Sequence, residues 1–115
     1  MKTLVQQNTN LPKLPEIKLN HLYKMTDTAG MFQHAKYNIP RFVDGYCTDD
    51  NARCLILTII LEKLGFEPKK IDTVATCCMS FLLYAFNSKK NRFRNFMSFD
   101  RRWLEGEGSE DSHGR

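Results

Sequence analysis

The chain has 115 residues, of which 42% are hydrophobic and 26% charged, and its formal net charge is +4. This composition is typical of globular proteins and argues against disorder over most of the chain, while the length permits one small domain. The longest apolar run, residues 54–61, is far shorter than the roughly 20 residues that span a bilayer. No apolar signal core follows Met1, so we expect a cytoplasmic protein with no membrane partner.

The first forty residues predict little regular structure. Residues 1–15 are polar and contain two prolines, so we expect an N-terminal arm there. Apolar residues recur at helical spacing over residues 15–27, which predicts a short helix with Pro15 in its first turn. Residues 31–40 are expected to be extended chain broken by turns, because Pro40 disfavours helix at Ile39.

The middle of the chain predicts an antiparallel pair of helices. Residues 48–64 are apolar on nearly all sides, and Thr48 is a good N-cap. Gly65 predicts the end of this helix, and Pro68 predicts the start of a second helix that runs to about Asn87. One face of the first helix is expected to carry Ala52, Leu55, Ile56, Ile59, Ile60 and Leu64. Helices that are apolar all round are buried on most sides, so both should be covered by further structure.

The residues after the helical pair predict a strand and then another helix. Apolar and polar residues alternate over residues 91–99, which favours a strand or a hairpin arm. Ser109 is a candidate N-cap for a third helix that starts where the sequence stops. Two apolar helices cannot bury their faces on each other alone. We therefore expect the chain to be the N-terminal part of a longer protein or one part of an assembly.

The cysteines and basic residues indicate no metal, no cofactor and no nucleic acid. The four cysteines include the adjacent pair Cys77 and Cys78, and their spacing matches no zinc-ligand pattern, so we expect buried free thiols. Residues 89–96 interleave basic and aromatic side chains, as surfaces that bind single strands do. The same alternation also suits a strand with one buried face, and we prefer that interpretation.

Three polar clusters occur at residues 48–53, 98–103 and 109–113, each at a predicted helix start or after the predicted strand. Capping and surface ion pairs can explain each cluster alone, for example between Arg53 and Asp49 or Asp50. Carboxylates that converge from separate clusters would also suit cleavage of a glycosidic bond. That reaction needs one carboxylic acid to protonate the leaving oxygen and one carboxylate to act as base or nucleophile.

Several ordered blocks carry a resemblance to a known family. They are residues 22–27 (LYKMTD), 30–35 (GMFQHA), 45–53 (GYCTDDNAR), 96–103 (FMSFDRRW) and 108–115 (GSEDSHGR). Together they resemble the start of a bacterial six-hairpin, glycosidase-like (α/α)6-barrel domain, found alone or associated with glycosyltransferases. The resemblance implies an all-α fold in which residues 16–115 form the first hairpins of an (α/α)6 toroid with a short β-like arm. It also implies an oligosaccharide substrate and a glycosyltransferase as partner.

The resemblance and the side-chain chemistry together predict a set of site residues. The expected acid/base carboxylates are Asp49, Asp50, Asp100, Glu110 and Asp111. The expected sugar-binding residues are Gln33, His34, Tyr46, Asn51, Arg53, Arg101, Arg102, Trp103 and His113. For His34 the alternative is a structural histidine bonded to backbone.

Two functions are compatible with this set of residues. One is a glycoside hydrolase-like protein that acts on oligo- or polysaccharide, of which this chain is a part that is inactive alone. The alternative is a non-catalytic carbohydrate-binding or scaffolding module that works with a glycosyltransferase.

Overall fold

The computed structural model describes residues 15–108. Its helices are α1 (Asn20–Lys24), α2 (Thr48–Lys63) and α3 (Pro68–Ala85), with a 3₁₀ turn at Phe42–Asp44. Its strands are β1 (Ala35–Lys36), β2 (Ile39–Pro40), β3 (Tyr46–Cys47), β4 (Phe86–Asn87), β5 (Arg92–Phe93) and β6 (Phe96–Met97). Within this part of the chain, no helix has the length and apolar character needed to cross a membrane.

The predicted helical pair is confirmed, with α2 and α3 packed along each other. Gly65 adopts a φ of 79°, which a residue without Cβ reaches at little cost. The amide of Phe66 donates to the carbonyl of Leu61 at 3.1 Å, and the amide of Gly65 donates to the carbonyl of Glu62 at 3.0 Å. This pair of bonds is the Schellman ending of a helix. Pro68 then begins α3, so local signals alone define the connection.

Very short strands assemble beside this helical pair. β3 and β6 are antiparallel, with Tyr46 opposite Met97. Single-residue antiparallel bridges from Phe32 to Tyr46 and from Met97 to Trp103 extend this pair on both sides. The side chains of Phe32, Tyr46 and Met97 pack with Phe81 of α3 in one hydrophobic cluster. The remaining strands form two small hairpins, β1 with β2 and β4 with β5.

The predicted all-α fold is wrong, and with it the (α/α)6 toroid and the glycosidase-like barrel. The described residues form an α+β domain of three helices and three two-stranded antiparallel sheets. Each strand has only two residues, and alternation of side chains marks only the region of β5 and β6. The pairing of β3 with β6 joins segments far apart along the chain, whereas the other two pairs are local hairpins.

Element boundaries also differ from the prediction at both ends of the chain. The helix predicted over residues 15–27 is limited to α1, and the strand predicted over residues 91–99 is divided into β5 and β6. The division occurs because β5 pairs with β4, whereas β6 pairs with β3. Residues 1–14 of the predicted arm and the helix predicted at Ser109 lie outside the described residues.

The orientation of α2 about its own axis differs from the predicted one. The side chains that α2 buries are Thr48, Asn51, Cys54, Thr58 and Leu61. On the face predicted to be buried, Ile56, Ile59 and Ile60 are 59%, 47% and 50% exposed. The strip of smaller side chains faces inward because its polar members bond the adjoining loops. Thr48, for example, donates its hydroxyl hydrogen to the carbonyl of Arg94 at 2.5 Å.

Candidate functional site

The carboxylate of Asp27 is at the centre of the candidate site. Its Oδ1 accepts hydrogen bonds from the amides of Ala29 at 2.8 Å and Gly30 at 3.2 Å. Its Oδ2 accepts a bond of 2.6 Å from the hydroxyl of Tyr46. These bonds hold residues 26–31, here named the Asp27 turn, in a tight reversal that is closed by the bridge from Thr26 to Met31. An ionised carboxylate has about four acceptor positions, so about one remains for a ligand.

Tyr46 supports Asp27 from inside the core. Its side chain is fully buried between Phe32 and Phe81, and its ring stacks on that of Phe32 with centroids 4.8 Å apart. Burial raises the pKa of Tyr46, the bond to Asp27 raises it further, and the neighbouring guanidinium of Arg101 lowers it. The phenol therefore remains a neutral donor that fixes the carboxylate in place.

Asn51 fastens the Asp27 turn to the first turns of α2. Its Oδ1 accepts a bond of 2.8 Å from the amide of Met31, and its Nδ2 donates to the carbonyl of Cys47 at 2.9 Å. The amide group is completely buried, so both bonds are shielded from water. Gly30 adopts a φ of 149° beside it, and a Cβ there would clash with Asn51 Oδ1. The turn and the helix thus approach each other as closely as a glycine allows.

A cavity of about 320 Å³, here named the Asp27 cavity, opens between this turn and α3. Its lining residues are Tyr23, Thr26, Asp27, Thr28, Lys70, Thr73, Val74 and Cys77. Thr26 and Thr73 donate their hydroxyl hydrogens to the carbonyls of Leu22 and Lys69, so their oxygens remain as acceptors beside the carboxylate of Asp27. Val74 provides an apolar patch. The volume is at the lower end of the range for small-ligand sites, and a few placed polar groups on an apolar wall are typical of them.

Arg101 lies at the rim of the Asp27 cavity. Its guanidinium donates a hydrogen bond from Nη2 to the hydroxyl oxygen of Thr28, one of the lining residues. Its backbone has a φ of 66° in a turn in which its amide bonds the carbonyl of Ser98 at 2.9 Å. This turn belongs to the segment that follows β6, so a residue 73 positions away reaches the Asp27 turn.

A polar contact closes the other end of the cavity. The hydroxyl of Tyr23 donates to Oε2 of Glu67 at 2.5 Å, and Nζ of Lys70 lies 3.6 Å from Oε1 of the same carboxylate. Partial burial, and then the bond to Glu67, raise the pKa of Tyr23 to about 12. The same bond, followed by the charge of Lys70, lowers the pKa of Glu67. The contact joins α1 to the start of α3.

The predicted acid/base residues lie in two separate places. Asp49 pairs with Arg53 at 3.4 Å, and Asp50 accepts a bond of 3.0 Å from the thiol of Cys47. Burial, and then the bond to Asp50, raise the pKa of Cys47 to about 12. Asp100 bonds Ser98 and lies 3.3 Å from Arg102.

The antiparallel register separates these carboxylates. The amide of Thr48 bonds the carbonyl of Asn95 at 2.9 Å, which places the start of α2 beside the residues that precede β6. Asp100 follows β6, so it lies at the opposite end of the β3–β6 pair. Glu110, Asp111 and His113 lie outside the described residues.

The other predicted sugar-binding residues have structural contacts. Gln33 donates to the carbonyl of Asp44 at 2.8 Å, and His34 lies 3.3 Å from the carboxylate of the same residue. Trp103 packs with its ring 5.4 Å from that of Phe81. Of the predicted set, Tyr46, Asn51 and Arg101 lie in or beside the candidate site.

Sequence reasoning did not select Asp27, Thr28 or Lys70 as site residues. A signal was present for the first, because Asp27 ends the LYKMTD block. The contributions of Lys70 and Thr73 could not be read from the sequence, because their place in the cavity depends on how α3 packs against the Asp27 turn.

Comparison with family models, curated proteins and solved structures finds no match to this chain.

Proposed function

We propose that the chain binds carbohydrate in the Asp27 cavity and serves carbohydrate metabolism as a binding module. The observation that carries this proposal is the combination of one rigidly held carboxylate with three threonine hydroxyls in a single small cavity. Carboxylate and hydroxyl oxygens bond the hydroxyls of a sugar, and Val74 offers a patch for the apolar face of the ring.

The sequence blocks that resemble the glycosidase-like family support the same site. Thr26 and Asp27 come from the first block, Met31 from the second, Tyr46 from the third and Arg101 from the fourth. Thr26 is bridged to Met31, Tyr46 donates to Asp27, and Arg101 donates to Thr28, the residue after Asp27. Blocks that are far apart in the sequence thus contribute to one place on the surface.

Binding is favoured over cleavage by the positions of the carboxylates. Glycosidases place two carboxyl groups about 5–9.5 Å apart across the scissile bond. Among residues 15–108, Asp27 is the one carboxylate that lines the cavity, so this lining holds one carboxylate of the two that cleavage needs. Cleavage therefore stays a prediction of the resemblance. A binding module that presents sugar to a glycosyltransferase is the function that we propose.

The test is a titration of the whole chain with neutral and acidic monosaccharides, in which NMR chemical shifts report binding. Asp27→Asn should weaken binding about tenfold, because hydrogen bonds to a charged group contribute roughly 1.5–3 kcal/mol. Asp72→Asn makes the same charge change on an exposed part of α3 and should have no effect.

A second pair of variants avoids any disturbance of the turn. Thr73→Val removes a hydroxyl from the cavity, whereas Thr76→Val makes the same change one turn further along α3, outside the lining. We expect only Thr73→Val to weaken binding. Binding that is unchanged in both Asp27→Asn and Thr73→Val would reject the cavity as the sugar site.

A further inference from the structure

The guanidinium of Arg101 differs from those of three other arginines in its electrostatic environment. Arg41 lies 3.0 Å from the carboxylate of Asp44, Arg53 pairs with Asp49 and Arg102 pairs with Asp100. Within residues 15–108, Arg101 has no carboxylate partner and donates instead to the neutral hydroxyl of Thr28. A positive charge is thus held at the cavity rim with no ion-pair partner among residues 15–108, and the Tyr46 hydroxyl beside it links it to the carboxylate of Asp27.

The position of this guanidinium is restrained. Its backbone sits in the turn after β6, where the amide of Ser98 bonds the carbonyl of Arg102 at 2.9 Å. Its side chain is anchored to Thr28, and it is close enough to the Tyr46 hydroxyl to oppose the upward shift of the pKa of Tyr46. A guanidinium has five N–H donors, so several remain for a ligand after the bond to Thr28.

The cavity below the rim supplies complementary chemistry. Asp27 and the threonines suit hydroxyl groups, and an anion bound at the rim would meet the guanidinium of Arg101. Lys70, a cation that lines the cavity itself, is already paired with Glu67. Guanidinium groups bind carboxylate and phosphate through two parallel hydrogen bonds, which an ammonium group cannot reproduce.

We infer that the preferred ligand of the Asp27 cavity is an acidic sugar, whose anionic substituent, a carboxylate or a phosphate, is bound by Arg101. This inference rests on the proposed function, because it assigns the substituent of a sugar that the cavity must first bind. Asp27 and the threonines would bond the ring hydroxyls, and Arg101 would select the charge.

The experiment compares matched sugars that differ only at carbon 6. The probes are glucose, glucuronate and glucose 6-phosphate, together with the corresponding galactose and mannose series, titrated into the whole chain at two ionic strengths. We expect at least one acidic form to bind about tenfold more tightly than its neutral parent, with the preference reduced by salt. The arm that binds best, uronate or phosphate, identifies the substituent.

Variants of Arg101 separate this inference from the proposed function. Arg101→Gln should abolish the preference for the acidic form and leave the affinity for the neutral parent within about twofold of the wild-type value. Arg101→Lys should retain only part of the preference. Arg41→Gln removes an arginine that already has a carboxylate partner and should preserve the preference.

Each outcome decides one of the two claims. Neutral sugars that bind in an Asp27-dependent way, with no preference for acidic forms, would overturn the inference and leave the proposed function standing. A preference that survives Arg101→Gln would also overturn the inference. No Asp27-dependent binding of any sugar in the panel would reject both.

Discussion

The inward and outward faces of α2 have opposite characters. The inward face carries Thr48, Asn51 and Thr58, each at most 3% exposed. The outward face carries Ile56 and Ile60, which are 59% and 50% exposed. Burying an aliphatic side chain of that size is favourable by about 1.5–3 kcal/mol, so the hydrophobic effect alone would turn the helix the other way.

Hydrogen bonds therefore act together with apolar burial in orienting α2, since Cys54 and Leu61 also lie on the inward face and pack against Val74 and Cys78 of α3. Asn51 accepts a hydrogen bond from the amide of Met31 and donates one to the carbonyl of Cys47. Turning the isoleucines inward would break these bonds and detach the Asp27 turn from the helix. The outward isoleucines form an exposed apolar strip for which the described residues offer no cover.

The largest expected effect comes from removing the side-chain amide of Asn51. Asn51→Ala should lower the free energy of unfolding by about 3 kcal/mol, because it leaves the amide of Met31 without its partner and opens a cavity at a completely buried side chain. Ile60→Ala on the outward face should cost under about 1 kcal/mol, because the side chain is half exposed. Urea unfolding followed by circular dichroism measures both. Equal losses of unfolding free energy in the two variants would contradict the difference between the two faces of α2.

A smaller effect is expected at the glycine that packs on this amide. Gly30→Ala should destabilise the protein by about 2 kcal/mol, because its Cβ would meet Asn51 Oδ1 and its φ is unfavourable for other residues. Gly106→Ala is the matched control, since no heavy atom lies within 4 Å of the added Cβ. The same unfolding experiment decides the matter, and a Gly30→Ala variant as stable as the control would contradict the close packing of turn and helix.

The smallest effect is expected at an exposed polar contact, the hydrogen bond from Tyr23 to Glu67. The pKa of Tyr23 is raised to about 12 from an ordinary 10.0, so its contribution is complete below pH 10 and is lost between pH 10 and 12. The pKa of Glu67 is lowered, so its contribution is present above the ordinary glutamate pKa and is lost as the pH falls through the folded value.

Comparison of the wild type with Tyr23→Phe over the pH range isolates this contact. The difference in unfolding free energy should be greatest between these limits and should shrink at both ends. Tyr37→Phe removes the same hydroxyl from a side chain that is 90% exposed and serves as the control. A constant difference for Tyr23→Phe would show that the hydrogen bond contributes nothing beyond packing.

The sequence predicted the parts of the fold that depend on local signals. Gly65 and Pro68 define the connection between α2 and α3 through backbone conformation, which neighbouring residues control. Alternating side chains predicted a strand over residues 91–99, but the division into β5 and β6 depends on their different partners. The all-α fold, which the family resemblance implied, is wrong because the described residues form three small sheets.

The candidate site was predictable only in part. Tyr46, Asn51 and Arg101 belong to blocks that attracted attention as sequence motifs, yet Tyr46 and Asn51 are buried and act by holding other groups. Asp27 is the carboxylate that they support. Its importance follows from the convergence of two amides and a phenol on its oxygens, and that convergence is a property of tertiary structure.

The sequence by itself determined the helical pair, its connection and the absence of a long apolar run, since these depend on composition and on residues close together in the chain. Tertiary structure decided the pairing of the strands, the rotation of α2 and the assembly of the Asp27 cavity. The physical reason is common to all three. A buried hydrogen bond between distant residues costs several kcal/mol to leave unmade, and no local pattern of side chains records which partner will satisfy it.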